Sequence, residues 1–166
     1  GLSVVAVTRQ ATNLPNVLVV SLGNMDANTD WHAAFIGCIV VVHLAAGLHV
    51  MDERSGNPLQ ALLDVSCHAT MNLAKQAVAA GVKRFVYVSS VKVNGEFTEI
   101  KPFSEKSQAN PQDPYAVSKW QAEQALLQLA KDTGIEVVIV RPPLVYGVGV
   151  KANFLSLLSA VNKLLP

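Results

Sequence analysis

Short apolar runs and longer segments of helical periodicity alternate along this chain. The apolar runs are rich in Val and Ile, have the length of β-strands, and lie at residues 4–7, 17–20, 39–44, 85–88 and 137–140. Apolar residues recur at helical spacing in residues 58–80, 114–133 and 152–165. Apolar strands that alternate with helices are typical of a parallel sheet covered by helices on both faces. The pattern therefore predicts a doubly wound α/β fold in which all five strands are buried.

Specific residues mark the ends of the predicted helices. Asp113 and Pro114 place a capping carboxylate before a proline in the first helical turn, which is a strong N-terminal signal. Gly81 and Gly134 follow the apolar patterns and suit a left-handed turn at a helix C-terminus. Between the fourth strand and the helix at Pro114, residues 92–111 form a polar loop long enough to suggest a function.

Composition and charge argue against several classes of protein. Hydrophobic residues make up 51% of the chain, and 13 basic against 12 acidic residues leave a net charge of +1, so disorder and nucleic-acid binding are not expected. Residues 33–51 carry no Asp, Glu, Lys or Arg, but their glycines, His43 and a β-branched block favour a strand over a membrane span. The two cysteines and four histidines lack metal-binding spacing, and His43 is expected to be a buried strand-end residue. We expect a cytoplasmic protein without a metal or a membrane partner.

Three polar residues carry the candidate chemistry. Ser90 follows the fourth strand, and Tyr115 opens the next helix with Lys119 four positions later, so the phenol and the ammonium share one helical face. A tyrosine with a pKa of about 10 is a poor base at neutral pH, and a nearby ammonium is expected to lower that pKa. With Ser90 holding a substrate oxygen, the set predicts proton transfer coupled to hydride transfer with a nicotinamide cofactor.

Four blocks carry a resemblance to a known family. They read VVHLAA at 41–46, FVYVSS at 85–90, PYAVSK at 114–119 and RPPLVYG at 141–147. In this order they resemble the extended short-chain dehydrogenase/reductases, in the NAD-dependent epimerase/dehydratase branch typified by UDP-galactose 4-epimerase. The resemblance implies a Rossmann-like fold, catalytic Ser90, Tyr115 and Lys119, and an NAD(P)-dependent epimerase or reductase acting on a nucleotide sugar. It also implies a homodimer in the complete protein.

The same resemblance assigns binding residues. Lys119 is expected to hold the nicotinamide ribose, and residues 44–46 match the loop that passes under the dinucleotide. Arg9 ends the first strand where NAD enzymes place an acidic residue, and an arginine there can accept a 2′-phosphate, which favours NADP over NAD. The alternative is that Arg9 is a solvated loop residue. The cofactor-binding residues implied are Arg9, Leu44, Ala45, Ala46, Ser66, Tyr115, Lys119, Pro142 and Pro143. The substrate-binding residues implied are Ser90, Tyr115 and Asn153.

The chain departs from the family where the pyrophosphate is bound. The family opens with a strand and a GxxGxxG turn whose amides receive the pyrophosphate, and the ten glycines of this chain form no such motif. The first strand here aligns with the second of the family, so in the order 3-2-1-4-5-6 the central strand is expected to be missing. Residues 1–166 are therefore expected to be a partial dinucleotide-binding domain, with the substrate portion absent after Pro166. Residues 147–152 fit GxGxxA, but a turn is predicted there because Arg141, Pro142 and Pro143 separate them from the strand.

Several functional interpretations stay open on the residues alone. Leu144 stands where epimerases have an asparagine that contacts the substrate phosphate, so a sugar-nucleotide ketoreductase is as plausible as an epimerase. The missing phosphate-binding turn also fits a non-catalytic fragment of such an enzyme. A reductase of the same family acting on a steroid or flavonoid type of substrate would use the same Ser, Tyr and Lys.

Overall fold

The computed structural model describes residues 3–44, 67–98, 101–150 and 152–163, with side chains in the last range from Phe154 onward. The strands are β1 (Val5–Thr8), β2 (Leu18–Ser21), β3 (Val40–His43), β4 (Arg84–Val88) and β5 (Glu136–Val140). The helices are α1 (Ala69–Ala79), α2 (Pro114–Thr133) and α3 (Ala152–Asn162), with 3-10 turns at His32–Phe35 and Val91–Val93. Every predicted strand is confirmed to within one residue at each end. The predicted α2 has its exact bounds, whereas residues 58–66 and 164–165 of the other two predicted helices lie outside the described residues.

All strand pairs in the described ranges are parallel, and they form two separate sheets. One sheet pairs β1 with β2, and the other has the order β3-β4-β5. In the described part of the chain, no strand pairs with both β1 and β3. This arrangement confirms a Rossmann-like α/β fold with an incomplete sheet, because the gap lies where the central strand was expected to be missing.

The hydrophobic core lies on one face of the three-stranded sheet. Phe85 and Tyr87 of β4 are fully buried on that face, beneath apolar residues of α1 and α2 such as Leu73 and Leu126. Alternation along a strand sends neighbouring residues to opposite faces, so Val41 and His43 of β3 join Phe85 and Tyr87 on the covered face. The core thus holds β4 and α2, the elements that carry the candidate catalytic residues, in a fixed relation.

The expectation that all five strands are buried on both faces is wrong for the described residues. Val40 and Val42 of β3 are 46% and 56% exposed, and Leu18 of β2 is 66% exposed. The physical reason is that α1 and α2 cover a single face of the three-stranded sheet, while β1 and β3 each have an unpaired edge among the described residues.

The predicted helix ends are confirmed. The Asp113 carboxylate accepts a hydrogen bond of 2.6 Å from the Ala116 amide and caps α2. Gly134 ends that helix at φ 77°, a left-handed conformation that costs glycine little because it has no Cβ. Residues 147–150 form the predicted turn, closed by a bond from the Val150 amide to the Gly147 carbonyl. None of the helices in the described ranges is both long and apolar enough to cross a membrane.

Candidate active site

The turn after β4 places Ser90 beside the end of β5. The Ser89 amide donates to the Val140 carbonyl over 2.7 Å, and the Val91 amide donates to the Pro142 carbonyl over 3.0 Å. Ser90 caps the 3-10 turn, since its Oγ accepts a bond of 3.3 Å from the Lys92 amide. Strand-like pairing therefore continues past β4 and brings Pro142, a predicted cofactor residue, next to the Ser90 turn.

Lys119 is a buried ammonium that contacts β4. Its side chain is 1% exposed, and its Nζ donates to the Val88 carbonyl over 3.1 Å. The same Nζ lies 4.8 Å from the centre of the Tyr87 ring and 5.8 Å from that of Tyr115, within reach of cation–π attraction. Burial lowers the pKa of Lys119 to about 8, and the nearby Glu123 carboxylate partly opposes that change. Lys119 is therefore still mostly an ammonium at neutral pH, and it loses its proton at a lower pH than an exposed lysine does.

The predicted lowering of the Tyr115 pKa is not what the structure has. Burial raises the pKa of Tyr115, the Asp113 carboxylate raises it further, and the Lys92 ammonium acts in the opposite direction. The reason is that burial is the largest effect on the phenol, while Lys119 directs its hydrogen bond to the Val88 carbonyl and faces the ring of Tyr115. The i, i+4 spacing correctly brought the two side chains together but did not reveal this orientation.

A buried ion pair lies one helical turn beyond Lys119. Glu123 is fully buried and accepts two hydrogen bonds from the Arg141 guanidinium, from Nε over 2.9 Å and from Nη2. The guanidinium also lies 5.7 Å from the centre of the Trp120 ring. This pair joins α2 to the segment that begins with Arg141 and continues into Pro142. The sequence interpretation missed it, although Glu123 extends the 115, 119 spacing by another four residues.

His43 lies in the polar part of the core, as expected of a buried strand-end residue. It is 4% exposed, its Nε2 lies 2.8 Å from Thr70 Oγ1, and its ring stacks on Tyr87 with centres 5.7 Å apart. Burial lowers the pKa of His43 to about 3, with a smaller contribution from the Lys119 charge, so the ring is neutral at physiological pH. Directly after β4, the Ser89 Oγ is buried without a hydrogen-bond partner among the described residues.

The remaining predicted site residues have varied positions. Arg9 is exposed directly after β1, which belongs to the two-stranded sheet. Leu44 is 71% exposed directly after β3. Pro142 is half-buried and Pro143 is exposed. Asn153 lies in the first turn of α3. Ala45, Ala46 and Ser66 lie outside the described residues, and the described residues contain no group of His, Cys, Asp and Glu suited to a metal ion.

Known proteins resemble this chain in both sequence and structure. UDP-glucose 4-epimerase of Vibrio cholerae is 47% identical over 159 residues, which cover 95% of this chain and 48% of that protein. The dTDP-glucose 4,6-dehydratase DesIV of Streptomyces venezuelae, solved as a double mutant with NAD and DAU bound, is 26% identical with a TM-score of 0.75, covering 92% of this chain and 47% of that one. RMD from Pseudomonas aeruginosa, complexed with NADPH, is 25% identical with a TM-score of 0.68, covering 94% and 55%.

The chain thus spans about half the length of these relatives. The family described as NAD dependent epimerase/dehydratase matches residues 1–162, which is nearly the whole chain. Together with the identity to the Vibrio cholerae epimerase, this match shows that the chain belongs to the NAD dependent epimerase/dehydratase family.

Proposed function

We propose that the native protein is an NAD(P)-dependent epimerase or reductase that acts on a hydroxyl or keto group of a nucleotide sugar. The proposal is supported by the 47% identity to UDP-glucose 4-epimerase and by the NAD in the DesIV structure. The observation that carries it is the buried Lys119 ammonium between Tyr115 and the end of β4. A buried ammonium is costly, and it is retained where its charge has a use.

The residues around Lys119 fit the ribose and nicotinamide end of a dinucleotide. Lys119 has three N–H donors and uses one of them for the Val88 carbonyl, so further donors are available for ribose hydroxyls. The unpartnered Ser89 Oγ adds a polar atom to the same part of the core. No GxxGxxG turn occurs among these 166 residues, so they do not supply the usual pyrophosphate site.

Three side chains would divide the proton chemistry between them. Ser90 would hold the reacting oxygen of the sugar through its hydroxyl, and the Tyr115 phenol would exchange a proton with that oxygen. Lys119 would bind the ribose hydroxyls with the N–H donors that the Val88 carbonyl does not use. A nicotinamide bound beside them would accept or donate the hydride.

Arg9 supports NADP as the cofactor. It is exposed directly after β1, at the carboxyl end of a parallel strand, which is the edge where dinucleotides bind in such sheets. A guanidinium there can form a bidentate contact with a 2′-phosphate. The related structures hold either cofactor, NADPH in RMD and NAD in DesIV, so the assignment of NADP rests on Arg9.

Within this proposal, a sugar-nucleotide ketoreductase is the alternative candidate to an epimerase. Leu144 is 56% exposed and offers no hydrogen bond to a substrate phosphate from its side chain, at the position that resembles an epimerase asparagine. An NADPH-dependent reduction of a keto sugar would be consistent with Leu144 and Arg9 together. The two candidates differ in whether the cofactor is consumed.

The Tyr115→Phe variant of the native protein tests the proposal. Turnover should fall by at least about 100-fold, because the proton of the phenol is lost while the ring is kept. The assay measures interconversion of UDP-glucose and UDP-galactose, and oxidation of NADPH with a keto sugar nucleotide. Tyr146→Phe is the matched control, because Tyr146 is 72% exposed and stacks on Phe154. Unchanged turnover in the Tyr115→Phe variant would remove Tyr115 from the mechanism.

A further inference from the structure

Lys92 contacts both of the elements that carry the candidate proton-transfer residues. Its backbone amide donates to Ser90 Oγ over 3.3 Å, within the 3-10 turn after β4. Its Nζ donates to Asp113 Oδ2 over 2.5 Å, across 21 residues of sequence. Asp113 Oδ1 in turn accepts the Ala116 amide over 2.6 Å at the start of α2. In the sequence, Tyr115 lies between Asp113 and Ala116, the two residues that form this cap.

The contact links two segments that the chain separates by a long loop. Residues 94–112 lie between the 3-10 turn and α2, and the ion pair closes this loop near its base. The loop itself folds back at the same point, since the Asn110 amide donates to the Val93 carbonyl over 2.9 Å. A Cβ added to Gly95 would lie 3.5 Å from Phe103 Cζ, so the returning segment packs closely on Gly95. The Lys92–Asp113 pair thus lies at the base of a loop whose two ends are also joined by a backbone hydrogen bond.

We infer that Lys92 is a positioning residue that ties the Ser90 turn to the Tyr115 end of α2 and, paired with Asp113, sets the charge around the Tyr115 hydroxyl. The inference rests on the function proposed above for Tyr115. It assigns to Lys92 a role that the Ser, Tyr and Lys set does not include. Lys92 touches Ser90 and Asp113 directly and acts on Tyr115 through its field and through the helix cap.

The charges around Tyr115 oppose one another. The Asp113 carboxylate raises the pKa of Tyr115 and the Lys92 ammonium lowers it, while burial raises it more than either. Lys119 faces the ring from the next turn of α2, and Glu96 shares the Lys92 ammonium at 3.3 Å. Tyr87 of β4 faces the same region from below. Removing one partner of the Lys92–Asp113 pair therefore leaves the field of the other uncompensated.

Opposite pH shifts from the two partners test the inference. One limb of the pH profile of kcat/KM should report the ionisation of Tyr115. Lys92→Met should move this limb to higher pH by about 0.5 unit, and Asp113→Asn should move it to lower pH by a similar amount. Lys92→Met with Asp113→Asn should return the limb close to its original pH. Lys92→Arg keeps the charge and should leave the limb in place. If the Lys92–Asp113 pair had only a structural role, both single variants would lower kcat without moving the pH limb in opposite directions.

Controls and a second measurement separate this inference from the proposed function. Lys131→Met and Asp132→Asn change the same residue types at the exposed far end of α2, and they should not move the limb. Ionisation of Tyr115 is also read directly, as the difference in phenolate absorbance between each variant and the same variant carrying Tyr115→Phe. If Tyr115→Phe stays fully active, the proposed function fails, and the absorbance titration alone decides the role of Lys92. Equal or absent shifts in that titration would overturn the inference.

Discussion

Replacing Glu123 with Gln should destabilise the native fold by about 3 kcal/mol, because it leaves Arg141 without its carboxylate partner. Glu123 is fully buried, and it accepts two charge-assisted hydrogen bonds from the guanidinium. At about 1.5–3 kcal/mol each, these bonds place the loss between about 3 and 6 kcal/mol. The lower end is expected because the Arg141 side chain keeps 21% exposure to water and because Gln can still accept one of the two bonds.

Urea denaturation followed by tryptophan fluorescence measures this loss. Trp120 lies beneath the Arg141 guanidinium and Trp31 lies in the core, so both report on the packing around the pair. The matched control is Glu136→Gln, which breaks a bidentate pair with Arg84 whose side chains are 49% and 56% exposed. Exposed pairs contribute little, so the control should lose less than about 1 kcal/mol.

The Glu123→Gln variant should also change the titration of Lys119. The Glu123 carboxylate opposes the lowering of the Lys119 pKa by burial, so the pKa of Lys119 should fall below about 8 when that charge is removed. The upper pH limit of kcat should then move to lower pH, since the charged form of Lys119 would persist over a narrower range.

Equal stability losses in Glu123→Gln and Glu136→Gln would refute the reasoning, because they would mean that water screens the buried pair as well as the exposed one.

Three further outcomes are expected. Arg9→Ala should weaken NADP binding about tenfold while NAD binding changes little, and equal losses for the two cofactors in calorimetric titration would contradict a 2′-phosphate contact. Because the pKa of His43 is lowered to about 3, the unfolded chain binds a proton that the folded chain does not, so stability is complete above about pH 6.5 and is lost as the pH falls toward 3. His43→Gln should flatten the dependence of Tm on pH in that window, and an unchanged slope would count against the burial of a neutral ring. The 166-residue polypeptide by itself should not bind NAD(P) at micromolar concentration, since it lacks a GxxGxxG turn. It should also not remain monomeric, since it exposes sheet edges. Micromolar affinity in calorimetry together with a monomer in light scattering would contradict both expectations.

Local signals were sufficient to predict most of the secondary structure. Asp113 before Pro114 predicted the start of α2, and Gly134 predicted its end, because caps depend on the stereochemistry of a few neighbouring residues. Parallel pairing and the incomplete sheet were likewise predictable, from the apolar strands and from the missing glycine motif. The predicted burial of the strands on both faces was wrong for the described residues. An apolar run indicates that a strand can be covered, but it does not indicate whether one face or both faces are covered.

The sequence by itself determined which residue types could meet at the candidate site: Ser90 after β4, and Tyr115 with Lys119 on one face of α2. Only the tertiary structure decided what surrounds them. The Lys92–Asp113 pair spans 21 residues and the Glu123–Arg141 pair spans 18, so neither follows from local spacing. The pKa of Tyr115 depends on the Lys92–Asp113 pair and that of Lys119 on Glu123, because burial and Coulomb interactions act through space between side chains that tertiary packing brings together.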